Sequence, residues 1–195
     1  MQTTELAVLD LHADALAATR AVVAGLGAGD WDAWIETSRT EVRRLVNHVV
    51  MENGWVEHFL AGESIDEIRR RVPADADVLG EDPLGAYDRS CERAEAALAA
   101  PGAFDVRCEV PRLGSITGRE YAGSRLVDVL VHGWEVAKAT GQDTRLDPRL
   151  AGAARSIIEP KIRMLAENGV IRDAVVVPPD ADDQTHLLAL FGFSE

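Results

Sequence analysis

Arg125-Leu-Val-Asp128-Val-Leu-Val-His132-Gly-Trp134 sets a carboxylate four residues ahead of an imidazole inside an otherwise apolar run. Residues four apart stand one above the other on one face of an α-helix, so both side chains can reach a common point. An unpaired carboxylate is costly to bury, and pairing it or binding it to a metal removes most of that cost. A second apolar stretch, Leu45-Val-Asn-His48-Val-Val-Met51, carries another imidazole. His48, Asp128 and His132 together would offer two nitrogens and one oxygen to a divalent cation. In helical bundles such sites are assembled from inward-facing side chains on neighbouring helices, so fold and site are one question here.

Working outward, the chain reads as helices with nameable ends. The first runs from about Thr4 to Val23, with Leu6, Leu9, Ala13, Leu16 and Ala17 on one side, and the glycines of 25–29 end it. The second opens at Ser38, where Ser38-Arg-Thr-Glu41 fits a capping box, and stops at Gly62. A polar, proline-bearing linker covers Glu63 to Glu81. Asp82-Pro83 starts a third helix that reaches Pro101-Gly102. Phe104 to Val110 alternates apolar and polar residues as a short strand does, and the turn residues of 111–118 predict a small hairpin or extended crossover. Thr117-Gly-Arg-Glu120 caps the fourth helix, which ends near Gly141. A fifth opens at Asp147-Pro148 and reaches about Glu167. Ala174 to Pro179 is extended, and Asp183 to Phe191 forms a last helical turn or two. The expected fold is all-α: a four-helix bundle over residues 1–145, with a small hairpin insertion before the fourth helix. Residues 146–195 form a short C-terminal helical extension packed on the same domain.

A chain of 195 residues can bury a real core as one domain. Its net charge of −13, with no basic stripe, argues against nucleic acid as a partner. No apolar run approaches the roughly 18 residues of a membrane span, and the N-terminus lacks a secretory pattern. Cys91 and Cys108 show neither metal-type nor redox-type spacing, which fits a reduced cytoplasm.

Each candidate ligand has a plainer reading. Asp128 and His132 could be a buried hydrogen-bonded pair with no metal. His48 alone could be structural. Glu52, one turn beyond it, could be a fourth ligand, a supporting partner or a general base, but reads more readily as an exposed helix carboxylate. Glu135, three residues past His132, is the rival carboxylate, and the i,i+4 spacing of Asp128 is the better match. His12, His58 and His186 read as surface or helix-end residues. Two imidazoles and one carboxylate suit Zn²⁺ in an open, catalytic arrangement, and equally serve Fe²⁺ or Ni²⁺.

On the motifs around His48 and Asp128–His132, with Ala139-Thr-Gly-Gln142, Val177-Pro-Pro-Asp-Ala-Asp182 and Leu187-Leu-Ala-Leu190, the chain resembles a known family. This is the actinobacterial mycothiol-dependent maleylpyruvate isomerases, part of the DinB-like group of metal-binding four-helix bundles. The resemblance implies an up-down bundle with a divalent metal, usually zinc, held by His48, Asp128 and His132. It also implies mycothiol as co-substrate, for isomerisation or S-transfer on a small electrophile. An isomerase of this type adds the thiolate to an activated double bond, lets the bond rotate and eliminates the thiol. Three departures stand out. Asp128 replaces a glutamate, and residues 31–38 lack the Cys-x-Gly-Trp element of many relatives. The substrate-binding arginine of a larger C-terminal domain has no assignable counterpart in Arg155, Arg163 or Arg172. A non-catalytic metal- or ligand-binding bundle is therefore the alternative. An exposed apolar helix face would permit a homodimer, though no sequence feature specifies one.

Overall fold

The computed structural model describes residues 2–169 and 174–193, with side chains from Ala7 onward; the side chain of Leu6 and the whole of Arg172 lie outside that description. Four long helices form the bundle: α1 (Gln2–Ala24), α2 (Val42–Leu60), α4 (Pro83–Leu98) and α5 (Gly118–Ala139). Around the ring, α1 packs on α4 and α5, and α2 packs on the same two. Side-chain pairs fix the directions. Asn53 meets Ser90 while Glu57 meets Arg93, so α2 and α4 run parallel. His48 meets His132 while Phe59 meets Tyr121, so α2 and α5 run antiparallel. The order is thus up-down-down-up rather than a simple alternation. The connection of residues 61–82 is long enough to return the chain to the end where α2 began.

The second helix begins three residues later than its capping box suggests, with Glu41 rather than Ser38 at the N-cap. Residues Trp34–Ile35 (β1) and Thr40–Glu41 (β2) pair antiparallel instead, with Arg39 at a positive φ of 52° in the turn between them. The hairpin's backbone pairing takes the segment that would have been the first helical turn. Conversely, the expected linker contains a short helix, α3 (Ile65–Arg71), opened by a complete capping box between Ser64 and Glu67. Asp82 accepts a hydrogen bond from the Gly85 amide, and Thr117 with Glu120 closes the other expected box at the start of α5. Between α4 and α5, Arg107–Val110 (β3) and Gly114–Thr117 (β4) form the hairpin insertion. Beyond the bundle come α6 (Pro148–Ile158), a 3-10 turn at Glu159–Lys161 where Pro160 interrupts the expected continuous helix, α7 (Ile162–Glu167) and α8 (Asp183–Leu190). Among the described residues, no helix is long and apolar enough to cross a membrane.

The core follows α5, which is buried nearly all round. One side meets Leu16, Val42, Val46 and Tyr87; its start meets Phe59, Phe104 and Cys108; the other side meets Leu150, Ala154 and Leu187. The C-terminal helices therefore cover a face of α5 that four helices alone would leave wet. The buried stripe of α1 is His12, Ala15, Leu16, Thr19 and Val23, whereas Ala17 is exposed. A polar residue can face inward here because the Thr19 hydroxyl donates to the Val129 carbonyl at 2.9 Å.

Gly133 explains that close approach. A Cβ there would lie 2.3 Å from Thr19 Oγ1 and 3.1 Å from Thr19 Cβ. Gly133→Ala must push α1 off α5, and overpacking of this kind costs about 1–3 kcal/mol. Urea denaturation should show that loss as a lower midpoint with an unchanged slope.

Candidate metal centre

The antiparallel α2–α5 pair builds the site. His48 and His132 meet edge to face with ring centroids 5.5 Å apart, and Phe59 and Tyr121 do so at 5.3 Å. Positions 48, 52, 55 and 59 recur at helical spacing, so they line one face of α2. Opposite them α5 presents Tyr121, Arg125, Asp128, His132 and Glu135, and the space between is a cleft of about 720 Å³. One ligand atom from each of His48, Asp128 and His132 lies within 4.8 Å of the others. The structure thus brings together the three side chains singled out by spacing.

The hydrogen bonds around His132 are informative. Its Nδ1 lies 2.7 Å from Glu135 Oε2, and its Nε2 lies 3.3 Å from Asp128 Oδ1. A neutral imidazole carries one N–H. One of the two carboxylates would then face a lone pair, unless a second proton or a cation stands between. Glu135 is 1% exposed and suits the Nδ1–H, which leaves Nε2 to point towards Asp128 and His48. Without a metal the second proton is the answer. Burial pushes the His132 imidazole down, but Asp128 and Glu135 outweigh burial and raise it to about 10. Burial likewise pushes the Asp128 carboxyl up; the charges of His132, Arg125 and His48 overcome this and hold it far below the usual carboxylate range.

Arg125 organises the rest. It is 2% exposed, bonds Glu52, donates to Asp128 Oδ2 at 2.9 Å and reaches Asn53 Oδ1 at 3.0 Å. Asn53 in turn donates to Ser90, whose hydroxyl donates to the Tyr87 carbonyl at 2.7 Å. With Oδ2 taken by the guanidinium, Oδ1 is the oxygen turned towards His132. The site then has three carboxylates (Glu52, Asp128, Glu135) against one guanidinium. With both imidazoles neutral, a divalent cation brings the cluster to zero net charge, so the donor set fits such an ion.

Several expectations change. Glu52 is half-buried, bound to Arg125, and lies 3.6 Å from His48 Nε2 rather than facing bulk water. Glu135 supports His132 from behind and is no rival to Asp128. His12 is no surface residue: it is 1% exposed, and burial with the nearby Arg125 charge pushes it down to about 4. His58 does sit at the end of α2, beside Glu63. Burial pushes the Cys91 thiol up to about 12 and Cys108 upward as well, which leaves both poor nucleophiles. Arg155 pairs with Asp183, and Arg163 with Glu167; neither lines the cleft. Thr37 and Ser38 do line it, so the β1–β2 turn reaches the opening despite lacking the relatives' motif. Phe191 and Phe193 close another side, and Phe193 stacks on Trp134 at 5.9 Å.

A four-helix bundle that gathers two imidazoles and a carboxylate at the floor of an open cleft is a helical-bundle protein with a candidate metal centre. The chain belongs to the mycothiol maleylpyruvate isomerase N-terminal domain family, whose sequence profile matches residues 12–137. Two uncharacterized Mycobacterium tuberculosis proteins are similar: MT0763 of strain CDC 1551 / Oshkosh and Rv0738 of strain ATCC 25618 / H37Rv. Each is 33% identical over 156 residues, covering 78% of this chain and 80% of its own. No solved structure matches the chain.

Proposed function

We propose that the protein is a metal-dependent enzyme using a low-molecular-weight thiol, mycothiol by its family, to isomerise or S-transfer on a small electrophile. His48, Asp128 and His132 hold the metal, with zinc favoured by the family resemblance, since the same donors also serve Fe²⁺ or Ni²⁺. The observation that carries this is the double carboxylate contact of His132, whose two nitrogens both face acids, with Nε2 turned to the shared point. A bound divalent cation would stabilise thiolate over thiol at neutral pH.

The chain's own residues supply the rest. Glu135 fixes the tautomer of His132, and Arg125 fixes Asp128. Glu52 has Oε2 held by Arg125, which leaves Oε1 beside the cleft to accept the thiol proton and return it. The apolar walls exclude water, and 720 Å³ is in the range that houses a substrate together with its co-substrate. In the isomerisation a carbon–sulfur bond forms, the former double bond rotates, and the same bond breaks to release thiol, with no net redox change.

Metal analysis of protein purified without chelator should give one ion per chain; metal-free protein would sink the reading. Incubation with mycothiol and an activated alkene should then yield a conjugate or the isomerised alkene by mass spectrometry. Glu135→Gln keeps the shape but weakens the acceptor behind His132, and loss of such a supporting partner costs about 10–100-fold in metal affinity. Competition against a chelating dye measures that loss.

A further inference from the structure

The floor of the cleft is acidic, but its mouth is basic. Arg69 on α3, Arg112 on the β3–β4 turn and Lys161 all line it, and none makes an ion pair among the described residues. The acids lining the cleft, Glu52, Asp128 and Glu135, lie at the floor and are engaged by Arg125 and His132. In a chain with 33 acidic and 20 basic residues, three cations without an ion pair around one opening run against the overall charge, with the charge of Lys161 felt by Glu120. Such a rim attracts an anion. Between mouth and floor the wall is apolar, with Trp55, Phe59, Leu113 and Phe191. The Arg69 guanidinium stands over Trp55, 6.0 Å from the ring centroid. Trp55 lies two turns along α2 from His48, a rise of about 10 Å.

We propose that the substrate of this cleft is an amphipathic carboxylic acid. Its apolar body of roughly 10 Å spans the α2 wall from Trp55 to His48, its carboxylate sits between Arg69 and Arg112, and its reactive carbon is at the opposite end, beside His48. The position of the reactive carbon rests on the function proposed above; recognition of the acid does not. A carboxylate shared by two guanidinium groups makes charge-assisted hydrogen bonds, which an isosteric amide cannot match.

The test is calorimetric binding of 4-phenylbutyrate and of its neutral amide to the full chain, with chelator and with added Zn²⁺. Wild type and Arg69→Gln/Arg112→Gln are compared, both substitutions being at exposed positions that leave the core untouched. The acid should bind at least about tenfold tighter than the amide in both metal states, and the preference should vanish in the double variant. Raising salt should shrink it, because the rim is exposed. Equal binding of acid and amide to wild type overturns the proposal. So does a preference that survives both substitutions, including one seen only with zinc, which would put the carboxylate on the cation. An arginine-dependent preference in protein that never takes up zinc would uphold acid recognition while defeating the metal-dependent reading.

Discussion

His132→Ala is expected to purify without its metal, while the wild-type chain carries one ion. His132 Nε2 faces Asp128 at 3.3 Å while its other nitrogen is anchored on Glu135 at 2.7 Å. Removing it leaves one imidazole and one carboxylate, too few donors for a zinc site, which takes at least three protein ligands. His48→Ala and Asp128→Asn should lose metal too. They should differ in a second measurement, since Asp128→Asn also takes a charge away from Arg125. Stoichiometric metal in purified His132→Ala would remove this residue from the site and with it the proposed chemistry.

A pH dependence accompanies metal binding. With no cation present the folded protein raises His132 from 6.5 to about 10, so the imidazole is protonated at pH 7. The stabilisation from that protonated form is complete below pH 6.5 and is lost as pH rises through about 10. A ligating imidazole must be neutral, so the incoming cation displaces this proton. Apparent zinc affinity should therefore climb about tenfold per pH unit between pH 6.5 and 8.5, with roughly one proton released from His132. Titration calorimetry in buffers of different ionisation enthalpy counts that proton. A pH-independent affinity with no release would show that His132 is not displaced.

How far the residues alone announce this structure depends on the distance over which each signal acts. The Asp128–His132 pair was legible because its i,i+4 spacing is local and lies in an unmistakably helical stretch. Glu135 was visible as a neighbour, but its role was not: only the burial of α5 on every side turns an i,i+3 carboxylate into an anchor for Nδ1. Three Ser/Thr-x-x-Glu patterns occur near helix starts, and two of them cap. Ser64–Glu67 and Thr117–Glu120 close both hydrogen bonds. Ser38–Glu41 does not, because Thr40 and Glu41 pair with Trp34 and Ile35. A capping box is a local preference of modest energy, and a competing tertiary pairing overrides it. Arg125 with Glu52 was beyond reach, since the partners are 73 positions apart and nothing in either segment marks the other. The same applies to His12, whose burial comes from the packing of α1 against α5 and the approach of Arg125.

Arg125→Met should be strongly destabilising while leaving the proposed ligands in place. The guanidinium is 2% exposed and holds both Glu52 and Asp128, while Met roughly conserves its apolar volume. What is lost is compensation: two carboxylates 28% and 33% exposed would face each other across the floor with only the protonated His132 left beside Asp128. Breaking a buried ion pair by removing one partner typically costs about 3–5 kcal/mol, and the partial exposure of both acids places this case near the lower end, about 3 kcal/mol. Two further measurements separate electrostatics from packing. Adding Glu52→Gln to Arg125→Met should restore part of the loss, because one of the stranded charges is gone. Saturating zinc should narrow the gap to wild type, because the ion takes over the neutralisation of Asp128. Loss of stability that neither change relieves would mean that Arg125 acts through packing along its stem. The account of this floor as a cluster balanced by one guanidinium and one divalent cation would then fail.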